Sequence, residues 1–127
     1  MRSGITSLKK DYTEHVETLD KAKLCLKIIK ERKAVDPVLL AVGNLSSITD
    51  YFLVASGHSS RQVQAISRHL QKRTREAGFR PNGIEGEKEG HWVLLDYGDV
   101  IIHVFYQPFR EIYDLEGLWI EATRINH

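Results

Sequence analysis

The stretch GHWVLLDYGDVIIHVF, residues 90–105, constrains the fold of this chain more than any other. Two runs rich in β-branched and aromatic residues, Trp92 to Tyr97 and Val100 to Phe105, are separated only by Gly98-Asp99. That is a β-hairpin with a two-residue turn of the glycine-containing class. So short a turn fixes the register, because a slip of one residue would turn every side chain to the opposite face. Tyr97 then faces Val100, Leu95 faces Ile102 and Val93 faces Val104, a core face that is apolar apart from one phenol. The other face pairs Asp96 with Ile101, Leu94 with His103 and Trp92 with Phe105, mixing large aromatics with polar groups. Two arrangements are open for it: the last helix of the chain covers it, or it is left bare for a partner.

Around the hairpin, the pattern alternates between helix and strand. From Thr18 to Lys33, Leu19, Ala22, Cys25, Leu26 and Ile29 fall on one helical stripe. Leu24 and Ile28 lie off it, either as scattered surface residues or as a self-association contact. PVLLAVGN after Asp36 and DYFLVAS at 50–56 read as strands, and their continuous apolarity suggests cover on both faces. In GHSSRQVQAISRHLQKRTREAG, Ser59 or Ser60 is a natural N-cap and Gly78 a left-handed terminator. On that helix Val63, Ile66, Leu70 and Ala77 line one side, with Arg61, Arg68, Lys72 and Arg75 opposite. FRPNGIEGEKEG reads as a loop. QPFREIYDLEGLWIEA reads as a short helix with Pro108 near its start and Ile112, Leu115 and Trp119 at helical spacing; Gly117 costs it about 1 kcal/mol. The division expected is a mobile polar extension over 1–16, one α/β domain over 17–120 and a tail over 121–127.

A chain of 127 residues suits one domain, and its net charge of +1 provides no overall field toward nucleic acid or membrane. The only cysteine, Cys25, excludes an intrachain disulfide and suits a reducing cytoplasm. No apolar run approaches the roughly 18–20 residues of a membrane span, and the N-terminus lacks the apolar centre of a secretion signal.

Chemistry at the hairpin is poorly served. Carboxylates that converge on one point from a strand need i, i+2 spacing, whereas Asp96 and Asp99 sit three apart across a turn, where Asp99 reads as a turn former. His103 shares a face with Asp96, but no placed nucleophile completes an acid–base pair. SGHSS at 56–60 could receive a phosphate at a helix start, yet it lacks the lysine of a P-loop and the spaced glycines of a dinucleotide fingerprint, so its serines read as caps. His58 and His69 show no metal-ligand spacing, and no cofactor or metal is assigned. The basic stripe is either a solvated face or a contact for RNA phosphates.

Three blocks, SSITDYFLVASGHSSRQVQAI, GIEGEKEGHWVLLDYGDVIIHVF and REIYDLEGLW, together resemble the successive signatures of the Iojap-related ribosomal silencing factor family, over about Leu19 to Trp119. The resemblance implies a bacterial or organellar protein, here a cytoplasmic one, with an α/β fold: a mixed β-sheet flanked by helices on a nucleotidyltransferase-like scaffold. It implies no enzymatic role. Gly57 and Ser59 stand where a nucleotidyltransferase begins its site, but no pair of carboxylates at i, i+2 on a predicted strand follows. It further implies binding to the large ribosomal subunit through large-subunit ribosomal protein fourteen, a block on subunit joining that represses translation, and homodimers when free. A role in large-subunit assembly is the alternative, with direct RNA contact through the basic helix over 60–77.

The partner surface expected on this reading is the mixed hairpin face. Trp92, Leu94 and Phe105 would supply buried area, and Asp96, His103 and Glu85 would meet basic and polar groups. Arg110, Tyr113 and Glu116 on the final helix are second-rank candidates, Leu24 and Ile28 the dimer candidates, and Arg61, Arg68, Lys72 and Arg75 the RNA candidates.

Overall fold

Two helices on one face of a six-stranded sheet and two short ones on the other are laid out in a computed structural model, which describes the backbone of residues 4–125 and side chains from Glu17 to Ile125. In chain order these are α1 (Gly4–Glu31), β1 (Val35–Ala41), β2 (Tyr51–Gly57), α2 (Ser60–Glu76), β3 (Gly83–Glu85), β4 (Trp92–Asp96), β5 (Val100–Tyr106), α3 (Gln107–Tyr113), α4 (Leu115–Leu118) and β6 (Thr123–Ile125). The strands lie in the order β3-β4-β5-β2-β1-β6. β2 and β5 are parallel and every other pair is antiparallel, so the sheet is mixed. A parallel pair needs a crossover, and α2 supplies it.

The hairpin has the register its turn demands. Trp92 pairs with Phe105, Leu94 with His103 and Asp96 with Ile101, and Gly98 opens the turn at φ +84°. The alternate face, with Val93, Leu95, Tyr97, Val100, Ile102 and Val104, is buried under α1 and α2. β2 is buried on both faces, as its continuous apolarity requires. Ser59 caps α2 by accepting from the Gln62 N–H at 3.1 Å, and Gly78 follows its end at φ +99°. Ala77, expected in the core, is exposed in the last turn.

Several expectations need correction. The backbone is helical from Gly4, so most of the segment read as an extension continues α1; Lys9, Lys10 and Glu14 are good helix formers even without an apolar stripe. Ile28 is fully buried and offers no dimer contact, while Leu24 packs partly against the same core and stays part-exposed. α1 packs against both the sheet and its neighbour α2, which widens its buried arc beyond one stripe. The loop after α2 contains β3, which pairs with β4. The tail is not a tail, because Thr123–Ile125 pairs with Ala41–Leu39 of β1.

The final helix is also broken. Asp114 adopts φ +43°, ends α3 and starts α4, with its carboxylate accepting from the Gly117 N–H at 3.2 Å. A side chain at Gly117 would collide with that carboxylate, so the glycine that weakens one long helix permits the two short ones. As a result Ile112, expected to pack, is 73% exposed, while Leu115 and Trp119 reach the sheet.

Candidate partner-binding site

The mixed face of β4 and β5 carries a second apolar cluster of Leu40, Val42, Phe52, Val54, Ile101 and Phe105, onto which Phe109, Leu115 and Trp119 pack from α3, α4 and the turn after them. The cover is incomplete, so both arrangements left open by the sequence hold in part. Phe105 and His103, expected to meet a partner, are buried and lie beneath the surface. Trp92, Leu94 and Asp96 remain half-buried, and Glu85 is exposed beside Leu94, its cross-strand partner.

Trp92 is held from three directions. Its indole stacks on Phe105 with ring centres 5.0 Å apart, and the half-exposed ring of Tyr113 lies 4.6 Å away, tilted against it and 6.2 Å from Phe105. Its Nε1–H donates to His103 Nδ1 at 3.0 Å. An indole N–H can only donate, so His103 Nδ1 must carry a lone pair and the ring is neutral with its proton on Nε2. Burial agrees, pushing the His103 imidazolium down to about 4. Phe52 meets the same imidazole edge-on at 5.2 Å, and Nε2 finds no hydrogen-bond partner among the described residues.

Arg110 and Glu116 also leave the list of partner contacts. Arg110 binds Glu116 through two nitrogens at 2.9 and 3.1 Å and donates to Ser56 Oγ at 3.0 Å and to the carbonyls of Val35 and Asp36 at 3.1 and 2.7 Å. With its fork filled, it fastens α3 and α4 to the start of β1 and the end of β2. His91 stacking on Phe109 at 4.6 Å adds a second fastening. Asp99 does more than form a turn: it accepts from Lys21 at 2.7 Å and Thr18 at 3.0 Å, tying the hairpin tip to α1. Asp96 Oδ1 accepts from the Gly98 N–H at 2.7 Å and holds the turn from inside.

At the start of α2 two of the donors are already engaged, the His58 N–H with Gln62 Oε1 at 2.7 Å and the Gln62 N–H with Ser59 Oγ at 3.1 Å. That is a capped helix and not a phosphate cradle. A cleft of about 510 Å³ beneath α3 is lined by Arg110, Glu116, Asp36, Asp114 and Arg124 among others, and its charged groups serve the Arg110 fastening. Among the described residues, no three His, Cys, Asp or Glu side chains converge as a metal site would require.

A half-open aromatic surface on a mixed sheet can grip a partner, and comparison with known proteins gives it a context. The family model described as ribosomal silencing factor during starvation matches residues 15–127. The chain belongs to the ribosomal silencing factor family. A curated ribosomal silencing factor from Halalkalibacterium halodurans is 39% identical over 103 residues, 81% of this chain and 88% of that one. A crystal structure from Chromobacterium violaceum superposes with a TM-score of 0.78 at 38% identity, covering 80% of this chain and 84% of that chain. Another from Bacillus halodurans gives 0.77 at 35% identity, covering 86% and 99%. The six-stranded mixed sheet with helices on both faces is thus the architecture of family members.

The sequence places Trp92 on the mixed face but does not show what holds it. The Trp92–His103 pairing was one step of register away, since residues on one face two apart along neighbouring strands lie within reach of long side chains. Tyr113 carried no such signal, because its position depends on the break at Asp114.

Proposed function

We propose that this protein represses translation by steric occlusion: it docks on the large ribosomal subunit through large-subunit ribosomal protein fourteen and occupies ground that the small subunit needs. No catalytic step belongs to this reading. The observation that carries it is the fixed, half-open indole of Trp92, stacked on Phe105 and flanked by a tilted Tyr113, in a chain of the ribosomal silencing factor family. An anchor already locked in place loses little rotamer freedom on binding, which is why preorganised aromatics dominate interface energies. Leu94 extends the apolar contact, exposed Tyr113 and Ile112 flank it, and Glu85 and Asp96 place negative charge beside it for a basic partner. Buried Phe105 and His103 act as the floor.

Truncating a central tryptophan anchor costs about 2–4 kcal/mol of binding, or roughly 30-fold or more in affinity. Co-sedimentation with purified large subunits, and capture by isolated ribosomal protein fourteen, should therefore fail for Trp92→Ala at concentrations where the unaltered protein binds. Glu85→Lys, on an exposed edge position, should weaken both without touching the core. Normal binding by both variants, each shown to be folded by circular dichroism, would place the contact elsewhere.

A further inference from the structure

We infer that the outer face of α1 and α2 is a contact surface for the phosphate backbone of double-stranded RNA, on the opposite side of the sheet from Trp92 and independent of the docking reading. The net charge of +1 conceals a strong separation. Residues 17–33 and 60–76, the helical layer, carry eleven Lys and Arg against four Asp and Glu, while 34–59 and 77–125 carry four against eleven. Two of the four acidic groups in the helical layer are drawn into internal pairs: Glu31 with Arg73 and with His69 at 2.8 Å, and Glu76 with Arg73 at 3.5 Å.

The remaining cations are arranged in rows. Lys23, Lys27 and Lys30 recur at i, i+4 and i+7 along α1, all exposed. Arg61, Arg68, Lys72 and Arg75 form a second exposed row along α2, about 21 Å long at helical rise. The helices run antiparallel side by side: Gln62 donates to the Lys33 carbonyl at 3.2 Å near one end, and near the other Tyr97 joins Thr74 of α2 to Lys21 of α1. Packed helices lie about 8–10 Å apart, so the rows form one two-lane basic surface. Among the described residues, only Arg68 of these seven is ion-paired, with Glu87 at 3.6 Å.

The chemistry of the surface selects its partner. A membrane-surface helix inserts an apolar face beside its basic one, but here most of the apolar residues of both helices are spent on the core. Single-stranded nucleic acid is held by stacking on aromatic rings, and residues 17–33 and 60–76 contain no Phe, Tyr or Trp. Spaced guanidinium and ammonium groups without aromatics suit the regular phosphates of an A-form duplex, read by shape and charge. Membership of a ribosomal family makes structured RNA the duplex at hand.

Fluorescence anisotropy with a labelled RNA duplex of about 20 base pairs tests this. With four phosphates neutralised, the affinity should fall about a hundredfold between about 50 and 200 mM salt. Replacing Lys27 and Lys72 together by glutamine should flatten the dependence of log affinity on log salt by about two, whereas Trp92→Ala should leave it unchanged. No binding at low salt, equal binding to polyglutamate or to phosphatidylglycerol vesicles, or indifference to the double replacement would overturn the inference.

Discussion

Replacing His103 by glutamine would keep an acceptor for the Trp92 indole while removing a titratable group from the floor of the site. His103 is 4% exposed, and burial alone moves its pKa from the ordinary 6.5 to about 4. Because the folded value lies below the unfolded one, the unfolded chain takes up the proton first as pH falls. The stability held by neutral His103 is complete above about pH 6.5 and is lost as pH falls toward 4. At about 1.4 kcal/mol per pH unit, the unaltered protein should lose roughly 2–3 kcal/mol more than His103→Gln between about pH 7.5 and pH 4.5. Urea unfolding followed by tryptophan fluorescence at both pH values measures the difference. The ¹⁵N shifts of the imidazole should also show Nε2 protonated and Nδ1 bare. Parallel loss of stability in both proteins, or a proton on Nδ1, would refute the assigned tautomer and with it the account of how Trp92 is held.

Other perturbations test the supports around the site. Arg110→Lys keeps the charge but cannot fill the two-pronged contact with Glu116 and the three further acceptors; it should cost about 3 kcal/mol and raise hydrogen exchange in α3 and α4 selectively. Asp99→Ala removes the acceptor of Thr18 and leaves Lys21 only the Tyr97 carbonyl, and a loss of about 1–3 kcal/mol is expected in thermal or urea unfolding. Gly86→Ala forces a side chain onto the Trp92 carbonyl at a residue with φ +81°, so docking should weaken together with stability, by more than about 1 kcal/mol in unfolding. Cys25 is fully buried with its thiol pushed up to about 12, and Ellman's reagent should react with it only as fast as the chain unfolds.

The parts legible in the sequence were those dictated by local chemistry. Gly98-Asp99 sets the hairpin register, and Ser59 with Gly78 brackets α2, because each acts through backbone geometry within a few residues. Elements that exist only through tertiary pairing were not legible. The three-residue strands β3 and β6 are too short to show alternation and are held by β4 and β1. Ile28 looked peripheral because a single stripe describes a helix with one neighbour, and α1 has two. At the site, residue types marked Trp92, Leu94, Asp96 and Glu85 as exposed or half-exposed, and the register brought them to one face. Burial of Phe105 and His103 could not be read without the helix break at Asp114, which rests on one left-handed residue and the absence of a side chain at Gly117.

The central claim is occlusion, and subunit joining measures it most directly. Purified large subunits are incubated with the protein, small subunits are added, and joined ribosomes are counted on a sucrose gradient. The account predicts that the unaltered protein reduces the joined fraction in proportion to its occupancy and that folded Trp92→Ala does not. Undiminished joining with the protein bound, or equal inhibition by Trp92→Ala, would contradict it.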